Sequence, residues 1–549
     1  MDPIMTKMPK QPHKDKTVDF DIFVIGGGIN GCGIARDAAG RGMNVALAEM
    51  NDLASATSSA STKLFHGGLR YLEFFEFRLV REALIEREVL LEAMPHISWP
   101  MRFVLPYHAD MRFVGDTPLS KLLGGIMPWM KGRRPAWLIR LGLFMYDHLG
   151  GRKILPPTTT VNLEQDPAGM PLDDKFVKAF EYSDCWVEDS RLVVLNARDA
   201  EQRGAHIMTR TKVTLAERGT DGWVIHTEDR NSGARQSFTA KALVNAGGPW
   251  VEKIIQNTAR INSTDGLRLV RGSHIVTRKL YDHDRCYFFQ GTDGRICFAI
   301  PYEGDFTLIG TTDVDHDDPN ELPVCSPEEQ AYLQEFASRF FKTPIANEDI
   351  VWSYAGVRPL YNDGAASATA ATRDYVLRID AANNLPLLNV FGGKITTYRK
   401  LAESAMAELT KYLPRLNGAT GNWTARVTLP GGDFPVDGFD DLCISIKKRY
   451  EFLSDAHIQR LARTYGTEVF DLLGKCTTIA DLGTDFGANI YAVELDWSIK
   501  HEWVRSAEDF VWRRTRLGLK LDKAQIRKID SFITDTYKSI STSKARINS

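Results

Sequence analysis

Two short, mostly apolar runs, Phe20–Ile25 and Met43–Ala48, bracket a glycine-rich stretch, IGGGINGCGIARDAAGRG (25–42), and Glu49 closes the second run. Apolar runs of this length suit parallel strands buried on both faces, so the order reads strand, tight turn, helix, strand, acid. Gly26 permits the turn, Gly28 lets the backbone approach a pyrophosphate, and Gly31 lets the helix pack closely on the sheet. Glu49 is placed to accept hydrogen bonds from ribose hydroxyls. The pattern predicts an adenine dinucleotide over the helix N-terminus, where N–H groups and the helix dipole favour an anion.

Beyond a loop rich in small polar residues, Ser55–Thr62, the apolar positions Phe75, Leu79, Ala83 and Leu90 recur at helical spacing. They predict a helix over Glu73–Met94, ended by Pro95. Alternation at Ala205–Leu215 and Trp223–Thr227 predicts a hairpin or meander, and Ala242–Asn245 a strand running into AGGPW. A block of further strands follows over 268–312; later, LPLLNV (385–390) reads as a buried strand meeting Gly392 and Gly393, where a helix begins. Past about residue 425 the periodicity is helical, at Ser454–Tyr465, Ala507–Leu517 and Lys523–Tyr537.

The fold class is therefore α/β: a Rossmann-like domain, an inserted α+β substrate (cap) domain and a helical C-terminal domain. The boundaries expected are a disordered leader at 1–17 and a dinucleotide domain within 18–424, built from roughly 18–100, 176–267 and 350–424. Into it the substrate domain is inserted as roughly 101–175 and 268–349, and the helical domain occupies 425–549.

A chain of 549 residues is too long for one core, which agrees with this division. The net charge of −2 argues against a nucleic-acid partner. Seven scattered cysteines without metal-ligand spacing suggest reduced thiols in a cytosolic compartment and no metal. The N-terminus lacks the apolar core of a signal peptide, and no uncharged apolar run of about 18 residues occurs, so a spanning helix is not expected. Surface attachment stays open. The segment 122–153 mixes Trp129 and Trp137 with Lys131, Arg133, Arg134 and Arg140. It suits either an anionic lipid surface or an ordinary core segment with basic residues turned outward.

Several segments, taken in order, resemble the FAD-dependent glycerol-3-phosphate dehydrogenases. They are the glycine stretch at 25–42, ATSSASTKLFHGGLRYL (56–72), RPAWLIRLGLFMYDHLGG (134–151), LVNAGGPWV (243–251), VRGSHIV (270–276), GVRPL (356–360), TRDYV (372–376), FGGKITTYRKLAE (391–403) and SAEDFVWRRTRLGL (506–519). Departures are minor: Ala60 stands where many members carry a bulkier or charged residue, and 123–132 is atypical. The resemblance implies FAD as cofactor and sn-glycerol 3-phosphate as substrate, oxidised at C2 to dihydroxyacetone phosphate. It further implies electron transfer to a membrane quinone from a protein peripherally attached to the inner face of the cytoplasmic membrane, with 122–153 as the monotopic contact. The alternatives are an oxidase using O2 and, from another class, a flavoprotein whose role is binding. A homo-oligomer is neither required nor excluded.

Such a reaction needs cations for the phosphate, a base for the hydroxyl proton and donors at the flavin edge. By resemblance, Arg358 and Arg373 serve the substrate, since a guanidinium fork suits phosphate; an ion pair is the plainer use of either. Arg70 joins them. Lys394 opposes the positive end of the helix it opens, a mismatch that an anion opposite it would relieve. His66 is the candidate base and His274 its rival. Besides Gly26, Gly28, Gly31 and Glu49, the cofactor is expected to meet Ser58, Ser59, Ser61, Thr62, Lys63, Gly247, Gly393, Ile395 and Thr396. Lys63 also reads as a surface charge. Arg513, Arg514 and Arg516 read as a structural or domain-docking face.

Overall fold

The strand β1 (Phe20–Ile25), helix α1 (Ile29–Gly40) and strand β2 (Val45–Ala48) form the βαβ unit at the centre of an eight-stranded sheet. The computed structural model describes residues 18–112, 117–126, 133–292, 295–362, 374–413 and 421–547. The leader at 1–17, Arg373, and Trp129 and Lys131 within the segment 122–153 lie outside the described residues.

β1 pairs in parallel with β2 on one side and with Arg235–Asn245 on the other, which in turn pairs in parallel with Leu387–Phe391. Alternation along β1 divides its side chains between two cores, as the two-residue period of a strand requires. Ile22 and Val24 face α1, Asp189–Gln202 and Tyr398–Leu409; Phe23 and Ile25 face the side carrying Trp223 and Ile225. α1 approaches its neighbours closely because it is built from small residues: a Cβ on Gly33 would lie 2.8 Å from the Tyr398 ring.

A second, ten-stranded sheet stands beside the first and corrects the expected boundaries. Lys178–Val187 and Ile350–Tyr361, assigned above to the dinucleotide domain, belong to this sheet. The former pairs antiparallel with Ser98–Pro106, the latter with Leu267–Arg278 over most of its length. Alternation identifies a strand but not its partner, and these partners lie about 80 residues away in sequence. One face of the second sheet packs on Pro327–Ser338 through Phe289, Phe336 and Phe340; the other packs on Phe77–Ala93 and Ala136–Leu149 through Val80, Leu84 and Leu143.

The helix expected at Glu73–Met94 starts later, at Phe77. Leu69–Phe74 forms a 3-10 turn instead, and Phe75 ends it in the left-handed region at φ 60°. In the C-terminal domain, Asp455–Tyr465 is helical and the last helix runs Lys523–Ile547. Between them Asp509–Arg514 is π-helical and Arg516 turns the chain at φ 98°. This domain has cores of its own around Ile446 and Leu461 and around Phe510 and Ile529. No helix among the described residues is long and apolar enough to cross a membrane.

Candidate active site

The parallel strands of the first sheet end at Ile25, Ala48 and Asn245, and a cavity of about 310 Å³ opens there, the place where open α/β sheets hold ligands. Gly26 takes φ 112°, and a Cβ on it would lie 2.5 Å from the Ala246 carbonyl oxygen. A Cβ on Gly31 would lie 1.9 Å from the Gly26 carbonyl oxygen, so helix and turn meet only without side chains. Glu49 lines the cavity and accepts from the Gly27 and Asn51 N–H groups, both at 2.7 Å; burial raises its pKa while those two bonds lower it. The Ser58 hydroxyl accepts from Ile29 N at 3.0 Å, at the first turn of α1. Gly28 and Gly247 line the same cavity.

A second cavity, of about 640 Å³, opens against the second sheet and is lined by Thr62, His66, Arg70, Tyr71, Arg295 and Arg358 among others. Arg358 comes from the strand Ile350–Tyr361, and its guanidinium reaches Asp313 Oδ1 at 2.6 Å and Thr311 Oγ1 at 3.1 Å. Lys394 precedes the turn Ile395–Thr397, after Gly392 at φ 67° and Gly393 at φ 99°. Its buried ammonium stands 3.7 Å from the centre of the Tyr71 ring, a cation–π contact at the cavity wall. Asn30, on α1, donates to the Gly392 carbonyl at 3.0 Å and so ties this turn to the glycine-rich helix.

The two histidines are not equivalent. His66 is on the cavity wall. His274 is buried behind Thr62, whose hydroxyl is 3.0 Å from Nε2, and its ring stacks on Tyr354 at 4.7 Å. Burial first, and then the Arg358 and Lys63 charges, hold His274 well below the usual histidine pKa, so it is neutral. Lys63 is buried rather than a surface charge: its ammonium donates to both Asp189 oxygens at 3.0 Å and to the Ser59 carbonyl at 3.2 Å. Ser61 also turns to Asp189, its hydroxyl donating at 2.8 Å, and the Ser59 hydroxyl donates to the Ala56 carbonyl at 3.3 Å. Thr396 is buried and Ile395 partly so, within the turn that follows Lys394. Tyr71, Asn30, Arg295, Asp313 and Tyr354 were absent from the sequence reading. Tyr71 alone carried a signal there, its place beside Arg70.

The basic segment also differs from expectation. Arg134 is largely buried in an ion pair with Glu73 and is turned away from a lipid headgroup, whereas Arg140 is exposed and donates through Nη1 to Thr158 Oγ1 at 2.5 Å. Arg133 is exposed.

A glycine-cradled dinucleotide cavity, and a second cavity lined by arginines and a histidine that one loop, Ala54–Thr62, connects to it in sequence, define a dinucleotide-dependent oxidoreductase. Residues 21–399 match the model of the FAD dependent oxidoreductases, and 422–537 that of the C-terminal domain of alpha-glycerophosphate oxidase. The glycerol-3-phosphate dehydrogenase of Pseudomonas aeruginosa is 48% identical over 94% of this chain and 96% of its own length. The aerobic glycerol-3-phosphate dehydrogenase of Escherichia coli is 46% identical over 94% and 97%. The D-erythritol 1-phosphate dehydrogenase of Brucella abortus is 46% identical over 92% and 96%. Among solved structures, the glycerol-3-phosphate dehydrogenase from Bacillus halodurans complexed with FAD superposes with a TM-score of 0.68 at 25% identity, covering 95% and 94% of the two chains. The chain belongs to the glycerol-3-phosphate dehydrogenase family of FAD-dependent oxidoreductases. FAD is its cofactor, and the site fits it: Gly26, Gly28 and Gly247 leave the room a pyrophosphate needs, and Glu49 stands at the end of β2.

Proposed function

We propose that the protein oxidises sn-glycerol 3-phosphate to dihydroxyacetone phosphate and passes the electrons to a membrane quinone. The observation that carries this reading is the convergence of Arg70, Arg295 and Arg358 on one cavity with His66 on its wall. Bound FAD supplies the two-electron acceptor. Arg358 presents its fork to the substrate phosphate, exchanging the Asp313 carboxylate for a second anion of suitable geometry. His66 takes the C2 hydroxyl proton, and His274 orients Thr62. Lys394, held over the Tyr71 ring, would set its positive charge beside a bound flavin, and Arg373 joins the phosphate subsite. Gly26, Gly28, Gly31, Glu49, Ser58 and Gly247 would hold the adenosine and pyrophosphate, and Thr62, Gly393, Ile395 and Thr396 would hold the flavin.

Anaerobic mixing with sn-glycerol 3-phosphate, recorded at the flavin absorbance, tests the substrate; D-erythritol 1-phosphate runs in parallel, because the Brucella relative is as similar as the Escherichia coli one. Prompt bleaching with the triose phosphate precursor and recovery with ubiquinone supports the reading. Faster bleaching with the tetritol phosphate moves the substrate, and recovery mainly with air moves the acceptor to O2. No bleaching with either, in FAD-loaded protein, overturns it.

Membrane attachment rests on the helix Ala136–Leu149. Trp137, Leu141 and Phe144 recur at helical spacing and are 53%, 48% and 54% exposed, a single apolar stripe facing outward. Arg134 is engaged by Glu73, while exposed Arg133 and Arg140 flank the stripe and add headgroup attraction to its insertion. The attachment is to the inner face of the cytoplasmic membrane. Trp137→Ser with Phe144→Ser should abolish co-flotation with liposomes; unchanged flotation would refute the contact.

A further inference from the structure

We infer that Arg516, carried by the C-terminal domain, is a positioning residue for the loop that faces the flavin. The loop runs between the two cavities: Ala54–Ser58 line the dinucleotide cavity and Thr62 the substrate cavity. Its anchor is Asp189, fully buried at the start of the helix Asp189–Gln202. One Asp189 oxygen accepts from Ser61 N at 3.2 Å and Ser61 Oγ at 2.8 Å, and both accept from Lys63 Nζ at 3.0 Å. Arg516 Nη2 donates to Asp189 Oδ1 at 2.6 Å, to Ser190 Oγ at 2.8 Å and directly to the Ser59 carbonyl at 3.3 Å.

Arg516 therefore grips the loop at Ser59 and holds the carboxylate that grips it at Ser61 and Lys63. The chain of contacts continues inward. Thr62 Oγ1 is 3.0 Å from His274 Nε2, and Tyr354, stacked on His274, donates its hydroxyl to the Ser61 carbonyl at 2.8 Å. At the loop's other end the same domain supplies Arg513 and Arg514, which donate to buried Asp52 at 2.6 and 2.8 Å.

Two features separate this from an ordinary domain interface. Burial opposes ionisation of Asp189, yet Lys63 and Arg516 together hold its pKa below the usual value, so one carboxylate serves two buried cations and the loop between them. The backbone is also strained where the clamp acts. Ala54, Lys63 and Arg516 take φ 59°, 60° and 98°, a region non-glycine residues occupy only when their surroundings dictate it. Both ends of the loop and the residue that closes on it share that strain.

The test compares Arg516→Gln with Arg198→Gln, which breaks another ion pair between the same two domains, to Glu468, away from the loop. Apoprotein is titrated with FAD, the flavin visible bands are recorded, and kcat and KM are measured with sn-glycerol 3-phosphate. Both variants should lose thermal stability. Arg516→Gln alone should weaken FAD binding by about tenfold, the loss of one charge-assisted hydrogen bond, and shift the flavin bands. Its kcat should fall by up to about a hundredfold, as expected for a small displacement of reacting groups, with KM little changed. Wild-type FAD affinity and bands in Arg516→Gln would overturn the inference. Arg516→Lys decides the matter if the glutamine variant does not fold: partial loss of FAD affinity with partial band shift supports the clamp, and wild-type values for both refute it. The FAD titration and the spectrum are independent of which substrate the enzyme oxidises, so failure here and failure of the proposed function are distinguishable.

Discussion

Gly272→Ala should disable the substrate site without disturbing the fold, although Gly272 itself has no side chain to contribute. Gly272 lies opposite Gly356 in the register of two paired strands, two residues from Arg358. A Cβ there would stand 2.4 Å from Arg358 Nη2 and 2.6 Å from Cζ and Nη1, where ordinary contact begins near 3.4 Å. The obstacle is the end of a flexible side chain, so the guanidinium moves by about 1 Å and the strands stay paired. Displacement of that size in a positioning group costs on the order of a hundredfold in rate. Counted instead as one lost charge-assisted hydrogen bond to phosphate, about 1.5–3 kcal/mol, the loss is about ten- to a hundredfold in kcat/KM. The two estimates overlap. The backbone at Gly272 is ordinary extended strand, so alanine should leave thermal stability nearly unchanged; its smaller unfolded-state entropy offers about 0.4–1 kcal/mol in compensation. Steady-state kinetics with sn-glycerol 3-phosphate, beside FAD content and melting temperature, checks this. A variant with wild-type kcat/KM, or one that loses FAD and stability instead, refutes the placement of Arg358 in the substrate site.

Two further outcomes follow from the same geometry. Gly31→Ala should yield protein that has lost FAD after gel filtration, because the added methyl would sit 1.9 Å from the Gly26 carbonyl and must push the turn off the helix; retained flavin absorbance would contradict it. His457, 4% exposed, has its pKa lowered from 6.5 to about 4, by burial first and then by Arg460. Between those values the unfolded chain binds the proton and the folded chain does not, so stability falls as pH drops below 6.5. From pH 7.5 to 5.5 the loss is about 1.3 kcal/mol from this residue. Denaturation of wild type and His457→Gln at both pH values isolates it, and an equal decline in the two proteins would count against it.

How much of this was legible in the sequence depended on how local each determinant is. The βαβ unit was readable because its glycines, strands and terminal acid are contiguous, and each glycine's task is set by neighbours a few residues away. Lys178–Val187 was placed in the dinucleotide domain by its position within 176–267, whereas its pairing with Ser98–Pro106 puts it in the second sheet. Arg134 looked like an outward cation because nothing nearby pairs with it; Glu73, 61 residues earlier, does. Lys63 offered two readings, surface charge or flavin contact, and its ammonium goes instead to Asp189, 126 residues on. His66 was the candidate base and His274 its rival, each near a glycine. Their difference is depth, which only the packing of Thr62 and Tyr354 around His274 creates.

The glycines around the site are better read as room for side chains than as turns alone. A Cβ on Gly310 would lie 2.1 Å from the His274 ring, one on Gly272 2.4 Å from the Arg358 guanidinium, and one on Gly68 2.2 Å from the Tyr71 ring that Lys394 faces. Three polar groups of the candidate site thus each rest over a missing side chain. For Arg358 and Tyr71 this arrangement fixes the group from beneath and leaves its other side to the cavity, while His274 is closed off by Tyr354 and Thr62. It also predicts where such a site tolerates change: a residue that lies on glycine cannot be moved by enlarging the floor without being driven towards the ligand. The glycines in FHGGLRYL, VRGSHIV and IGTT (309–312) were visible from the outset. What they make room for became visible only when strands far apart in sequence were laid side by side.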